Sequence, residues 1–155
     1  MVDFTKPVNN ADMVKELNAL IRCNMELCSY YEDLTPRIKD KAYQQPLASF
    51  KALHTHHAEL IGDTVRLLGG APAVAEGEHT SAGGRWLRRL YGGEGKLNDF
   101  VKAEEKLRDR YRESLQDQAV RASPECVAVI NQVLADSRAA LSGFRDAVDS
   151  EGGEI

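Results

Sequence analysis

A chain of 155 residues with 43% hydrophobic and 28% charged content has the size of one domain with a real core, and is too apolar to stay disordered. A formal net charge of -4 gives no basic footprint for nucleic acid, and no run approaches the roughly 20 apolar residues that span a bilayer. Aromatics at 6% and little alternation of β-branched residues exclude an all-β fold.

Residues 1–10 read as a flexible polar tail without an apolar signal segment, and Asn10 is placed to cap the first helix. From Met13 the apolar residues recur as Leu17, Leu20, Ile21, Leu27, Tyr31 and Leu34, spaced by threes and fours as on one helix face. Asn24 falls on this stripe, and Cys28 lies at its edge. Pro36 disfavours helix in the residue before it and marks the break.

The second helix is expected from about Pro46, which a first turn tolerates. Its stripe runs Leu47, Phe50, Leu53, His57, Leu60, Ile61, Thr64, Val65 and Leu68 until Gly69-Gly70 stop it. Residues 71–84 show no period. The run Arg85-Trp86-Leu87-Arg88-Arg89-Leu90-Tyr91 reads as a short extra helix before Gly92-Gly93. A partner or an anionic surface is one reading of this basic run; the other is an amphipathic segment folding Trp86 back onto the domain.

A third helix is expected from Glu94 to Val120, with Leu97, Phe100, Val101, Glu104, Leu107, Tyr111 and Leu115 inward. Ser123 and Pro124 form a strong start for the fourth. Its stripe is Cys126, Val127, Ile130, Val133, Leu134, Ser137, Ala140, Leu141, Phe144 and Val148. Residues 150–155 read as an acidic tail, leaving 11–149 as the folded domain. Short, long and short connections predict an all-α four-helix bundle of the ferritin-like kind, with a crossover between helices two and three. A simple up-down-up-down bundle is the rival.

The informative residues are polar ones on inward stripes: Asn24, His57, Glu104 and Ser137, with Cys28 and His54 at the edges. Histidine and carboxylate hold metals in bundle cores, and His54-x-x-His57 keeps the spacing of three that puts both on one face. Together with Glu104 they form the candidate metal set, for iron or another divalent cation. One carboxylate is too little for a di-iron centre. The other reading is a structural layer in which His57 and Glu104 bond to each other and to Asn24 or Ser137. His56 points outward, which removes a hemerythrin comparison. Three cysteines without a Cys-x-x-Cys pair fit reduced thiols and a cytoplasmic address, and leave Cys23 or Cys28 as a redox candidate. No nucleophile motif or phosphate loop is present, so no catalytic residue is assigned.

Leu17-Asn18-Ala19-Leu20-Ile21, Val65-Arg66-Leu67-Leu68-Gly69-Gly70, Gly84-Arg85-Trp86, Gly92-Gly93 and Glu104-Glu105 with Tyr111 together resemble a family of small bacterial ferritin-like bundle proteins of unknown function. The resemblance spans about Val14 to Val148. It implies a ferritin-like fold in a bacterial, cytoplasmic, stress-associated setting, and no established reaction. This chain departs from the family pattern at Cys28, where an acid is frequent, and at Val101, where a glutamate is frequent. A homodimer or protein partner through a helix face completes the expectation.

Overall fold

A computed structural model of the chain describes residues 6–74 and 97–150, and these are helix, turn and short connections without a strand. Helix α1 spans Lys6–Leu34, α2 Gln44–Leu67, α3 Leu97–Ser114, the short α4 Gln118–Arg121 and α5 Pro124–Ser150. Among the described residues no helix is long and apolar enough to cross a membrane.

The chain enters α1 earlier than its polar start suggests. Pro7 sits in the first turn, where its missing N–H is no loss, so Asn10 lies inside the helix instead of capping it. Pro36 ends α1 as expected, opening a 3-10 turn over Thr35–Arg37. A second 3-10 turn, Lys41–Tyr43, is capped by Asp40, which accepts the Ala42 N–H. At the far end of α2, Gly69 takes φ +86°, its N–H bonds Arg66 O, and the Gly70 N–H bonds Val65 O. This is the Schellman arrangement that closes a helix on a left-handed residue.

The third helix stops at Ser114, short of the expected Val120. Asp117 competes for the chain, accepting the Ala119 and Val120 N–H groups at 2.9 and 3.2 Å and starting α4. Ser123 then accepts the Cys126 N–H at 3.2 Å, as an N-cap ahead of Pro124 should. The short helix expected over residues 85–91 lies outside the described residues.

The long helices pack as neighbours in the order α1, α2, α5, α3 and back to α1. Moving from Asn24 to Tyr31 on α1, the partners run from His54 to Phe50 on α2, and from Tyr111 to Phe100 on α3. Both are therefore antiparallel to α1, and α2 and α3 run parallel to each other. His57 meets Asp136 while Phe50 meets Phe144, so α5 is antiparallel to α2. The core takes Leu17, Leu20, Ile21, Leu34, Leu47, Ile61, Ile130 and Val133 at full burial. Tyr31 stacks on Phe100 and Phe50 at centroid separations of 5.2 and 6.1 Å, an aromatic layer beside the polar one.

Candidate functional site

Helix periodicity brings Asn24 and Tyr31 of α1, His54 of α2, and Glu104 and Tyr111 of α3 to the centre, all buried. The hydrogen bonds fix their roles. Asn24 Nδ2 donates to Leu20 O at 2.9 Å, and a carbonyl can only accept, so the amide orientation is set. Asn24 Oδ1 then faces His54 Nδ1 at 2.9 Å, which must donate. The same amide is bonded to the Tyr111 hydroxyl, with Nδ2 donating at 2.9 Å.

The other imidazole nitrogen, His54 Nε2, lies 2.5 Å from Glu104 Oε2, and the Tyr31 hydroxyl donates to that same oxygen. Two bare lone pairs at 2.5 Å would repel, so His54 and Glu104 hold one proton between them and are together neutral. The groups around them are uncharged as well. Burial raises Tyr31 well above the usual phenol value, with Glu104 adding to the effect. Burial likewise raises Tyr111 and Cys28 and lowers His57. No fixed charge stands ready to compensate a net charge on the pair, and in a dry core such a charge would be expensive.

Each residue of the candidate metal set can now be placed. His54 and Glu104 come together, but His54 has both nitrogens engaged. His57 turns away: its Nε2 faces Asp136 Oδ2 at 3.2 Å, and its ring centroid is 6.2 Å from that of His54. The bond expected between His57 and Glu104 is therefore made by His54 instead, because α2 presents His54 to the centre and His57 to α5. Ser137 is buried as expected, yet its Oγ bonds to none of these groups. Among the described residues, no group of three or more His, Cys, Asp and Glu side chains is arranged to hold a metal ion. Glu104 Oε1 and His57 Nδ1 are buried and without a hydrogen-bond partner.

Sequence reasoning missed three partnerships. Periodicity makes Tyr31 an apolar stripe residue, yet its hydroxyl meets Glu104. Periodicity places Tyr111 on the inward face without a partner, and the structure bonds it to Asn24. Asp136, one residue off the stripe, catches His57. A spacing of seven between Asn24 and Tyr31, and between Glu104 and Tyr111, puts each pair on one face two turns apart, and was the available signal.

The thiols are not activated. Burial pushes Cys23 up to about 11. Cys28 is half-buried with Sγ 3.5 Å from both Lys51 O and Thr55 Oγ1, and it and Cys126 are also raised by burial. A reactive cysteine needs the opposite shift.

Comparison of the chain with family models, with curated proteins and with solved structures returned no match.

Proposed function

We propose that the chain is a ferritin-like four-helix bundle without catalytic activity, whose central polar cluster serves helix register. The ring order and the parallel run of α2 and α3 support the bundle type, since an up-down-up-down chain would place those two side by side and antiparallel. One observation carries the functional reading: both nitrogens of His54 and one oxygen of Glu104 are consumed inside the cluster. Such a network specifies which face of each helix turns inward, because any rotation strands several buried polar groups. The bacterial, cytoplasmic and stress-associated setting belongs to this proposal through the family resemblance, as does association with a second copy or another protein.

Residual metal binding is the second reading, favoured by the unpartnered Glu104 Oε1 and His57 Nδ1. In the present arrangement the donors fall short of a metal ligand set. A cation at His54, His57 and Glu104 would first have to displace the shared proton, and His57 would have to leave Asp136.

Metal content by mass spectrometry on untagged protein separates the two readings. The protein and a His57→Ala variant would be incubated with ferrous iron, manganese and zinc. The register reading expects no stoichiometric metal in either. A near-stoichiometric metal lost in the variant would replace it with the metal reading.

A further inference from the structure

Helix α2 carries more leucine than its own core uses. Its inward stripe of Leu47, Phe50, His54, His57, Ile61 and Val65 is buried. Leu53, Leu60 and Leu67 recur every seven residues, about 100° round the helix from that stripe and on the flank beside α5. Leu53 and Leu60 are half-buried, and Leu67 is 71% exposed. Beside this row runs a groove of about 420 Å³, lined by Leu53 together with Ala140, Gly143 and Ala147 of α5. A Cβ added at Gly143 would meet nothing within 4 Å, so the groove has room for an incoming side chain. We propose that this α2–α5 face docks a second copy of the chain, the leucine row of each copy entering the groove of the other about a two-fold axis.

Shape, charge and area each point to a second copy. A ridge and a hollow side by side on one face complement the same pair turned half-way round, as an isologous interface requires. Ser49, Leu53, His56, Leu60, Gln132 and Gly143 across this face carry no fixed charge. The carboxylate beside them, Asp136, is already bonded to His57. By contrast the exposed residues of α3, Lys102, Asp109, Arg112 and Glu113, are all charged. Two copies with a net charge of -4 each repel, and they meet at least cost on a face where no ion loses its water.

From Pro46 to Leu67 is ~32 Å of helix, and two packed helices are about 20 Å across. The flat area is on the order of 600 Å² before side chains corrugate it, close to the roughly 800 Å² each partner commits to a specific interface. The chain leaving α2 turns the other way, because Asn18 holds Ala71 and Ala73 on the α1 flank. The inference deepens the association with a second copy named above. It stands apart from the register role of the cluster, which the metal assay addresses.

Sedimentation equilibrium of the untagged full chain should give twice the 17.1 kDa chain mass, falling toward the monomer only on dilution. Gly143→Arg fills the groove, and Leu53→Glu puts a charge on the ridge. Each variant should be a monomer at concentrations where the parent is a dimer, with far-UV circular dichroism unchanged. Lys102→Glu, on α3, should leave the dimer intact. Mixed together, the two monomeric variants should regain the dimer, since one contact is then native and the other pairs a carboxylate with a guanidinium. A parent that stays monomeric overturns the proposal and leaves the face to a different protein. A dimer that survives both variants overturns it by placing the interface elsewhere. Variants that stay monomeric when mixed overturn the pairing of ridge with groove.

Discussion

Replacing Glu104 with glutamine changes the cluster's proton and charge without changing its shape, and so tests the bonding directly. In the native protein one oxygen, Glu104 Oε2, receives the Tyr31 hydroxyl and shares a proton with His54. An amide cannot repeat this. With its oxygen in that place it meets the bare His54 nitrogen, lone pair against lone pair. With its NH₂ there it donates to His54 and to the Tyr31 oxygen, but leaves the Tyr31 proton stranded. The second arrangement is cheaper and costs about 1–3 kcal/mol, the penalty for one buried unsatisfied donor. For a domain of this length that lowers Tm by roughly 2–4 °C per kcal/mol. Tyr31→Phe alone should cost about 1.5–3 kcal/mol, because it removes a hydrogen bond to a charge-bearing group. In the Glu104→Gln background the same change removes the stranded hydroxyl proton but strands the amide N–H that bonded the Tyr31 oxygen, one buried unsatisfied donor for another, so it should cost close to nothing. A double-mutant cycle by urea unfolding, with unchanged m-values, should therefore give a coupling of about 1.5–3 kcal/mol. Additive effects would refute the shared-oxygen arrangement, and with it the register function proposed for the cluster.

Other outcomes follow from single residues. Glu104→Leu strands both Tyr31 and His54, and should cost about 3–5 kcal/mol in the same urea assay; a loss below 1 kcal/mol would contradict the burial of the pair. His57 is held neutral by burial, its proton affinity lowered from the ordinary 6.5 despite Asp136. The unfolded chain binds that proton first, so the stability gained by keeping His57 neutral is present above pH 6.5 and lost as pH falls below it. The slope is at most about 1.4 kcal/mol per pH unit, and His57→Leu should flatten it in pH-dependent melts. At pH 8 native Cys23 should react with a disulfide reagent about a hundredfold more slowly than in urea, given a value of about 11 against the ordinary 9.0; comparable native and unfolded rates would restore the thiol hypothesis. Gly69→Ala forces a side chain into φ +86° and should cost about 1–2 kcal/mol by thermal melt, whereas Gly143, where an added Cβ meets nothing within 4 Å, should accept alanine with no loss.

The helices themselves are legible in the sequence because their causes are local. Threefold and fourfold spacing of apolar residues places Leu17, Leu20, Ile21, Leu47, Ile61, Phe100, Tyr111, Ile130 and Val133 inward, and all are buried. Pro36, Gly69 and Ser123 stop or start helices through their own backbone chemistry. The same local reasoning identifies Asn24, His57, Glu104 and Ser137 as polar residues on inward faces, and all four are buried. Errors cluster where two local preferences compete, as at Asp117, whose side chain wins the backbone donors of residues 119 and 120 and ends α3 early.

What sequence periodicity could not assign is which polar atom meets which, since that depends on rotations of a few tens of degrees about each helix axis. His54 and His57 are one turn apart, and either could have faced Glu104. Only the packing of α2 between α1 and α5 turns His54 to the centre and His57 toward Asp136. The hydroxyls of Tyr31 and Tyr111 likewise become polar only by what stands at their tips, and that is supplied by residues 73 and 87 positions away. Element type follows from short-range chemistry, which the sequence carries in full; the partnership of buried polar groups follows from the relative rotation of whole helices, which only the assembled core determines.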